Sequence, residues 1–202
     1  MWNLPSRFAF LRDEAELPAM VHTALDLLGT KELAGTANNP GILEWAKEIN
    51  EICKRPYDNW AEDFFNADSI PWCGLFLGVV AARTCQNRPE RMPPNKYLSA
   101  LAWADWGTPG STHTPPSIDD ICLGDVIVLR RDGGGHVFLA LGVSRDGKRI
   151  FGIGGNQSDA VTIADFDAER LKAVRRPVYN RRPAGARHIV LAEKGVLSVD
   201  EA

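Results

Sequence analysis

The sequence predicts an α+β domain in which helices come first and an antiparallel sheet follows. Three observations lead there. Apolar residues recur at helical spacing through the first fifty positions, an apolar run near residue 75 is hydrophobic on all sides, and from Asp125 onward short β-rich segments alternate with glycine turns.

Leu17, Met20, Val21, Ala24, Leu25 and Leu28 line one face of a helix expected over Glu14 to Leu28, with Gly29 placed to end it. Asn39 is a good N-cap and Pro40 suits the first helical position, so a second helix is expected from Pro40 to Cys53. Residues 54 to 71 mix Pro, Asp and Asn with Trp60, Phe64 and Phe65, which predicts a packed loop or a short helix. The run from Trp72 to Ala82 is apolar nearly all round, the mark of a helix buried mid-domain, with Cys73 in its first turn. Pro-rich stretches at Arg88 to Pro94 and Thr108 to Ser117 read as surface loops around a short helix at Tyr97 to Asp105. Strands are expected at Asp125 to Arg130, His136 to Val143, Lys148 to Ile153, Ala160 to Ile163 and Lys172 to Val178, the Asp146-Gly147 pair giving a hairpin signal.

A chain of 202 residues with 45% hydrophobic and 24% charged residues has an ordinary globular composition. It predicts one domain over 1–180 with a tail over 181–202, without internal repeats. No segment reaches the roughly 18 apolar residues that a membrane-spanning helix needs, and the first residues lack the pattern of a secretory signal. Synthesis in the cytoplasm is therefore expected. Cys53, Cys73, Cys85 and Cys122 form no C-x-x-C pair and no zinc spacing, so neither a disulfide framework nor a metal is expected. Seven Lys or Arg and no acid fall between Arg170 and Arg187, so the rest of a chain of net charge −3 sums to −10. That stretch reads either as an attractor for an anionic polymer or as a solvated strand face.

Three residues carry chemistry when laid over these elements. Cys73 opens a buried helix, where the dipole and a nearby histidine would lower its thiol pKa and make it a nucleophile. His136 opens a strand straight after a triple-glycine turn. If the two strands from His136 form a hairpin, the residues past Ile153 return beside it, making Asn156 the polar group that orients the imidazole, with Gln157 as rival. The other cysteines, with His22, His113 and His188, read as core or surface residues. The Gly152-x-Gly154-Gly155 run lacks the following helix and lysine of a phosphate loop. No Gly-x-Ser-x-Gly element points to a serine hydrolase.

Ile70-Pro71-Trp72-Cys73-Gly74, Leu123-Gly124-Asp125-Val126-Ile127-Val128, Gly135-His136-Val137 and Gly154-Gly155-Asn156-Gln157 occur in that order. Together with Gly29-x-x-Glu32-x-x-Gly35-x-x-Asn38-Asn39-Pro40 upstream, they resemble the NlpC/P60 and CHAP superfamily, most closely a bacteriophage and prophage branch, over about residues 17 to 178. The resemblance implies a papain-like α+β fold and a cofactor-free cysteine hydrolase that cuts peptidoglycan amide bonds. The cut would lie in the stem peptide or between muramic acid and alanine. Cys73 would be nucleophile, His136 base and Asn156 the third polar residue. Asn38, Trp72 and Gln157 would contact substrate, with Asn39, Trp60 and Trp106 as further groove candidates, against a plainer reading of each as cap or core. Gly74 stands where Ala or Ser is common, a change that leaves room for substrate backbone. Gly154 stands where many CHAP enzymes have Glu. The implied partner is peptidoglycan rather than nucleic acid, bound by a monomer with no integral membrane segment and reached after release or delivery from a phage. Two alternatives stay open: an amidase or deamidase toxin with a protein target, and a non-catalytic wall-binding virion module.

Overall fold

The computed structural model describes residues 2–35, 37–54 and 60–192. It is an α+β arrangement of four α-helices, α1 (Ala19–Asp26), α2 (Pro40–Cys53), α3 (Trp60–Phe64) and α4 (Cys73–Thr84), and one sheet. The strands are β1 (Thr108–Pro109), β2 (Val126–Arg131), β3 (Gly134–Ser144), β4 (Arg149–Gly154), β5 (Thr162–Asp167), β6 (Leu171–Arg176) and β7 (Val190–Leu191). They run in the order β1-β6-β2-β3-β4-β5, antiparallel throughout, and β7 adds a parallel pairing to β3 at Val143 and Ser144.

The helical layer is held by burial more than by helix propensity. Every residue of α4 from Cys73 to Ala82 is buried. Gly74, Gly78 and the β-branched Val79 and Val80 are poor helix formers, costing up to about 1 kcal/mol each. Burying Leu75, Phe76, Leu77, Val79 and Val80, each worth roughly 1.5–3 kcal/mol, outweighs that. The helix packs between α2 and one face of the sheet, where Val126, Val128, Val137, Leu139 and Ile153 join its core. The opposite face gathers a second core of Ile127, Leu129, Phe138, Ile150 and Phe166. Phe138 on β3 stacks on Phe166 of β5 at 4.3 Å across β4, which is possible because Gly152 puts no side chain between them.

The element boundaries differ from the sequence expectation for physical reasons. α1 begins at Ala19 rather than Glu14, since Pro18 sits at its N-cap with extended ψ. α2 keeps its expected limits, Asn39 Oδ1 accepting the Gly41 N–H at 2.9 Å. The helix expected at Tyr97 to Asp105 shrinks to a 3-10 segment, Ala100–Asp105, and another appears at Ser6–Arg12. Of the expected packed stretch 54–71, α3 is its helix, and 55–59 lie outside the described residues. The fourth expected strand starts at Thr162 and runs to Asp167, because Ala160 instead bridges Lys31.

The region expected as a tail from 181 is part of the domain as far as 192, and 193–202 lie outside the described residues. Ala186, Ile189 and Leu191 are buried, Arg181 pairs with Glu16 at 2.7 Å and Arg187 with Glu14 at 2.9 Å. The six arginines of the basic stretch are engaged by the chain itself. Arg175 donates to the Trp106 and Gly107 carbonyls, and Arg182 to Ala186. Arg176 grips Asp125 through two bonds of 2.8 and 2.7 Å. Asp125, only 1% exposed, also accepts the Cys122 N–H, so the Leu-Gly-Asp motif ties β2 to β6.

Candidate active site

Cys73 is placed by what flanks it. Trp72 is fully buried, its ring edge-on to Trp45 at 5.8 Å and its Nε1 donating to Glu32 Oε1 at 2.5 Å. It anchors the start of α4 in the core, which corrects the expectation that it contacts substrate. On the other side, a Cβ on Gly74 would lie 2.3 Å from the Tyr97 carbonyl oxygen and 2.5 Å from that of Leu98. The space expected to admit substrate backbone is filled by the chain's own 97–98 segment.

The thiol is surrounded by groups that favour its anion. The N–H groups of Val137, Gly74 and Cys73 lie close enough to favour the thiolate, and the Arg131 guanidinium adds positive potential. Strand geometry explains the first of these. Ala140 N–H donates to Asp125 on the β2 side, and N–H groups alternate along a strand, so that of Val137 points to the β4 edge. The β3–β4 ladder has its last rung at Leu139 and Ile153, so Val137 lies beyond it and its N–H is left for the thiol. Burial still dominates. Cys73 is 6% exposed, and loss of hydration pushes its thiol above the ordinary range. The expectation of a lowered thiol pKa is thereby corrected: a helix terminus offers about half a charge, less than desolvation removes here.

His136, next to Val137 and pointing to the other face, is 1% exposed. Its ring lies 5.7 Å from that of Phe138 and 5.2 Å from that of Phe166. Its Nε2 meets Gln157 Oε1 at 3.2 Å, and Gln157 Nε2 in turn donates to the Thr162 carbonyl at 2.8 Å and approaches Thr162 Oγ1 at 3.2 Å. These contacts set the tautomer. With the amide nitrogen turned to a carbonyl, Oε1 faces the ring as an acceptor, so Nε2 carries the proton and Nδ1 the lone pair.

The residue on the ring is thus Gln157 rather than Asn156, and Gln157 is a buried positioning group rather than a substrate contact. Asn156 has φ +54° and is 3% exposed, its Oδ1 buried without a hydrogen-bond partner. Ser158 and Asp159 are also left-handed, forming a tight turn that sends Gln157 back towards β3. Gly154 makes the reach possible, since a Cβ there would lie 2.2 Å from Gln157 Oε1. The sequence carried a signal for Gln157: Gly154, three residues earlier, which leaves room for its side chain.

Asn38 is structural too. Its Oδ1 accepts the Asp68 N–H at 3.1 Å, while the buried Asp68 carboxylate accepts the N–H of Asn39 at 2.7 Å. Asn39 caps α2, and Trp106, 6% exposed, donates to the Met92 carbonyl. His22 pairs with Asp26, His113 with Asp120, and His188 meets the Ile121 carbonyl. Cys53 and Cys85 are buried, and Cys122 is half-buried with its sulfur 3.0 Å from the Arg182 guanidinium.

A groove of about 660 Å³ opens beside the start of α4. Its lining combines Trp60, Phe64, Ile70 and Pro71 with Asn95, Lys96, Leu98 and Ser99. Trp60 is the one groove candidate from the sequence that lines it. Among the described residues no cluster of three or more His, Cys, Asp or Glu is placed to hold a metal ion, and no helix is long and apolar enough to cross a membrane. Comparison with protein-family models, with curated proteins and with solved structures returns no match.

Proposed function

We propose that the chain is a cysteine amidase or peptidase of the NlpC/P60 and CHAP type, papain-like in architecture and acting on peptidoglycan. The observation that carries the reading is the His136–Gln157–Thr162 relay, which orients a buried imidazole on the residue next to Val137, whose N–H faces the thiol.

Because burial keeps the resting thiol protonated, the first step is concerted. Cys73 Sγ attacks the carbonyl carbon as its proton passes to His136 Nδ1. Gln157 Oε1 accepts from Nε2–H before and after that transfer, so the ring need not turn as it gains charge. In this reading the Cys73 N–H, which faces the resting thiol, turns to the developing oxyanion as the sulfur forms its new bond. The imidazolium then protonates the leaving amine, the C–N bond breaks, and water activated by the same Nδ1 hydrolyses the thioester. The phage branch that the sequence resembles implies an endolysin or tail-associated lysin.

A second reading, an amidase with a protein target, draws support from the apolar residues lining the groove, which suit peptide side chains generally. Mass spectrometry of fragments released from purified peptidoglycan separates the two. The wild type is expected to release new stem-peptide or lactoyl ends and Cys73→Ala none, in the presence or absence of EDTA. Equal release by both proteins would remove Cys73 as nucleophile, and no release from walls of several chemotypes would favour the protein target.

A further inference from the structure

The two edges of the sheet are finished differently. At one end β1 is two residues long and closes on Pro109, which has no N–H to offer. At the other end stands β5, six residues long and paired with β4. Ala168 N–H donates to the Lys148 carbonyl across that pair, and N–H groups alternate along a strand. Thr162, Ala164 and Phe166 therefore face β4, while Ile163 and Asp165 face away from it. Val161 obeys the same alternation, exchanging bonds of 2.9 and 2.8 Å with Gly29 and Thr30 outside the ladder. Upstream of Gly29 the chain has turned away into α1, so beyond Val161 the edge is open. The N–H and C=O groups of Ile163 and Asp165 have no hydrogen-bond partner among the described residues.

A pocket of about 160 Å³, with room for one side chain, adjoins that open stretch and is lined by Arg7, Phe8 and Phe151 together with Ile163 and Asp165. Its charge is not balanced. The Arg7 guanidinium lies over the Phe151 ring at 5.2 Å and forms no ion pair among the described residues. Asp165 is already countered by Arg149 at 3.7 Å, on the same face of β4 as Phe151, and the Arg149 Nη1 is buried without a hydrogen-bond partner. Two cations thus stand beside one carboxylate, next to a stretch of unpaired backbone.

We propose that the β5 edge takes an extended peptide of a partner protein as an added antiparallel strand, with an acidic side chain of that peptide entering the pocket beside Arg7. The assignment is independent of the hydrolase reading. In an antiparallel pair, a residue directly opposite Ile163 or Asp165 turns its N–H to β5 and its side chain to the pocket face, so one register satisfies the backbone and the charge together. A second copy of this chain suits the edge less well. Two β5 edges would set Asp165 and Asp167 of both copies on one short ladder, where like charges repel. A charge-assisted bond to Arg7 would favour a glutamate over a glutamine in the peptide by about 10-fold, less at high ionic strength.

The test titrates the full chain with the synthetic peptide acetyl-Thr-Val-Thr-Glu-Thr-Val-Thr-amide, followed by calorimetry and by amide hydrogen exchange. In the protein alone the Ile163 and Asp165 amides are expected to exchange freely and those of Ala164 and Phe166 slowly; the peptide should slow the first pair. N-methylation of the peptide's glutamate, whose N–H faces β5, should abolish binding, and N-methylation of an adjacent threonine, whose N–H faces solvent, should not. Ile163→Pro removes an outward N–H without breaking the β4 ladder and should abolish binding with the fold retained. Arg7→Met should bind the glutamate peptide and its glutamine counterpart alike. No binding by the wild type, equal binding of the glutamate and glutamine peptides by the wild type, or a glutamate preference that survives Arg7→Met would overturn the proposal. So would protection of Ile163 and Asp165 in the protein alone: with a dimer in sedimentation it would assign the edge to a second copy, and with a monomer to the rest of this chain.

Discussion

Cys73 and His136, the proposed nucleophile and base, are held by opposite means. Cys73 is fixed by main chain: Gly74 is wedged against the Tyr97 and Leu98 carbonyls, and the thiol rests on backbone N–H groups. His136 is fixed by side chains, through a relay from Gln157 to Thr162 that fits because Gly154 stays out of its way. Both sides use a glycine, but what each glycine avoids differs. At Gly74 the obstacle is backbone and cannot retreat. At Gly154 it is mainly the end of a flexible side chain, so a fault on the thiol side costs the fold and one on the imidazole side costs function.

The largest expected effect tests the imidazole side. His136→Ala removes the proposed base and, on the proposed wall substrate, should lower kcat by on the order of a hundred- to ten-thousand-fold, with the circular dichroism spectrum retained. Gln157→Ala should lower it less and move the pH–rate profile, because the tautomer is no longer imposed. An unchanged profile would mean that Gln157 only packs.

Next in size is a stability effect on the thiol side. Gly74→Ala should cost about 1–3 kcal/mol or more, read as a lower midpoint in urea unfolding. An unchanged midpoint would show that the 97–98 segment yields, and the contrast would fail. Gly154→Ala sharpens it from the other direction. Stability should stay within about 1.5 kcal/mol of wild type, while kcat drops towards the Gln157→Ala value as the amide is pushed off the ring.

The smallest effect concerns the thiol itself. Burial raises its pKa, so iodoacetamide labelling of Cys73, followed by peptide mass spectrometry, should be slow at neutral pH. It should climb only above the usual thiol range, near about 8.5. The linked stability has a definite sign. A group whose folded pKa is raised contributes fully below its unfolded value, and that contribution is lost as pH rises through the folded one. Fast labelling with a plateau below neutrality would instead indicate a thiolate.

Much of this was legible in the sequence. The helix-then-sheet order, the limits of α2, the burial of α4 and the β3–β4 hairpin follow from periodicity and from residues such as Asn39, Pro40 and Gly147, whose effects are local. The positions of Cys73 at a helix start and His136 near a strand start were also readable, for the same reason. What escaped depends on distant groups. Whether Asn156 or Gln157 meets the ring is decided by three left-handed residues in one turn and by the space above Gly154. The rise in the thiol pKa comes from packing that no local pattern encodes. Asn38 and Trp72 seemed available to substrate because their partners, Asp68 and Glu32, lie 30 and 40 positions away.

The clasp between Glu14 or Glu16 and the 181–187 segment joins groups 165 to 173 positions apart. A chain leaving the ribosome cannot close it until residue 187 has emerged, and so long a closure is among the slowest contacts to form. β7 follows the clasp and pairs with β3, the strand that carries His136, at its far end, Val143 and Ser144. The order of synthesis therefore delays both the clasp and that pairing until residues 181 to 191 have been made.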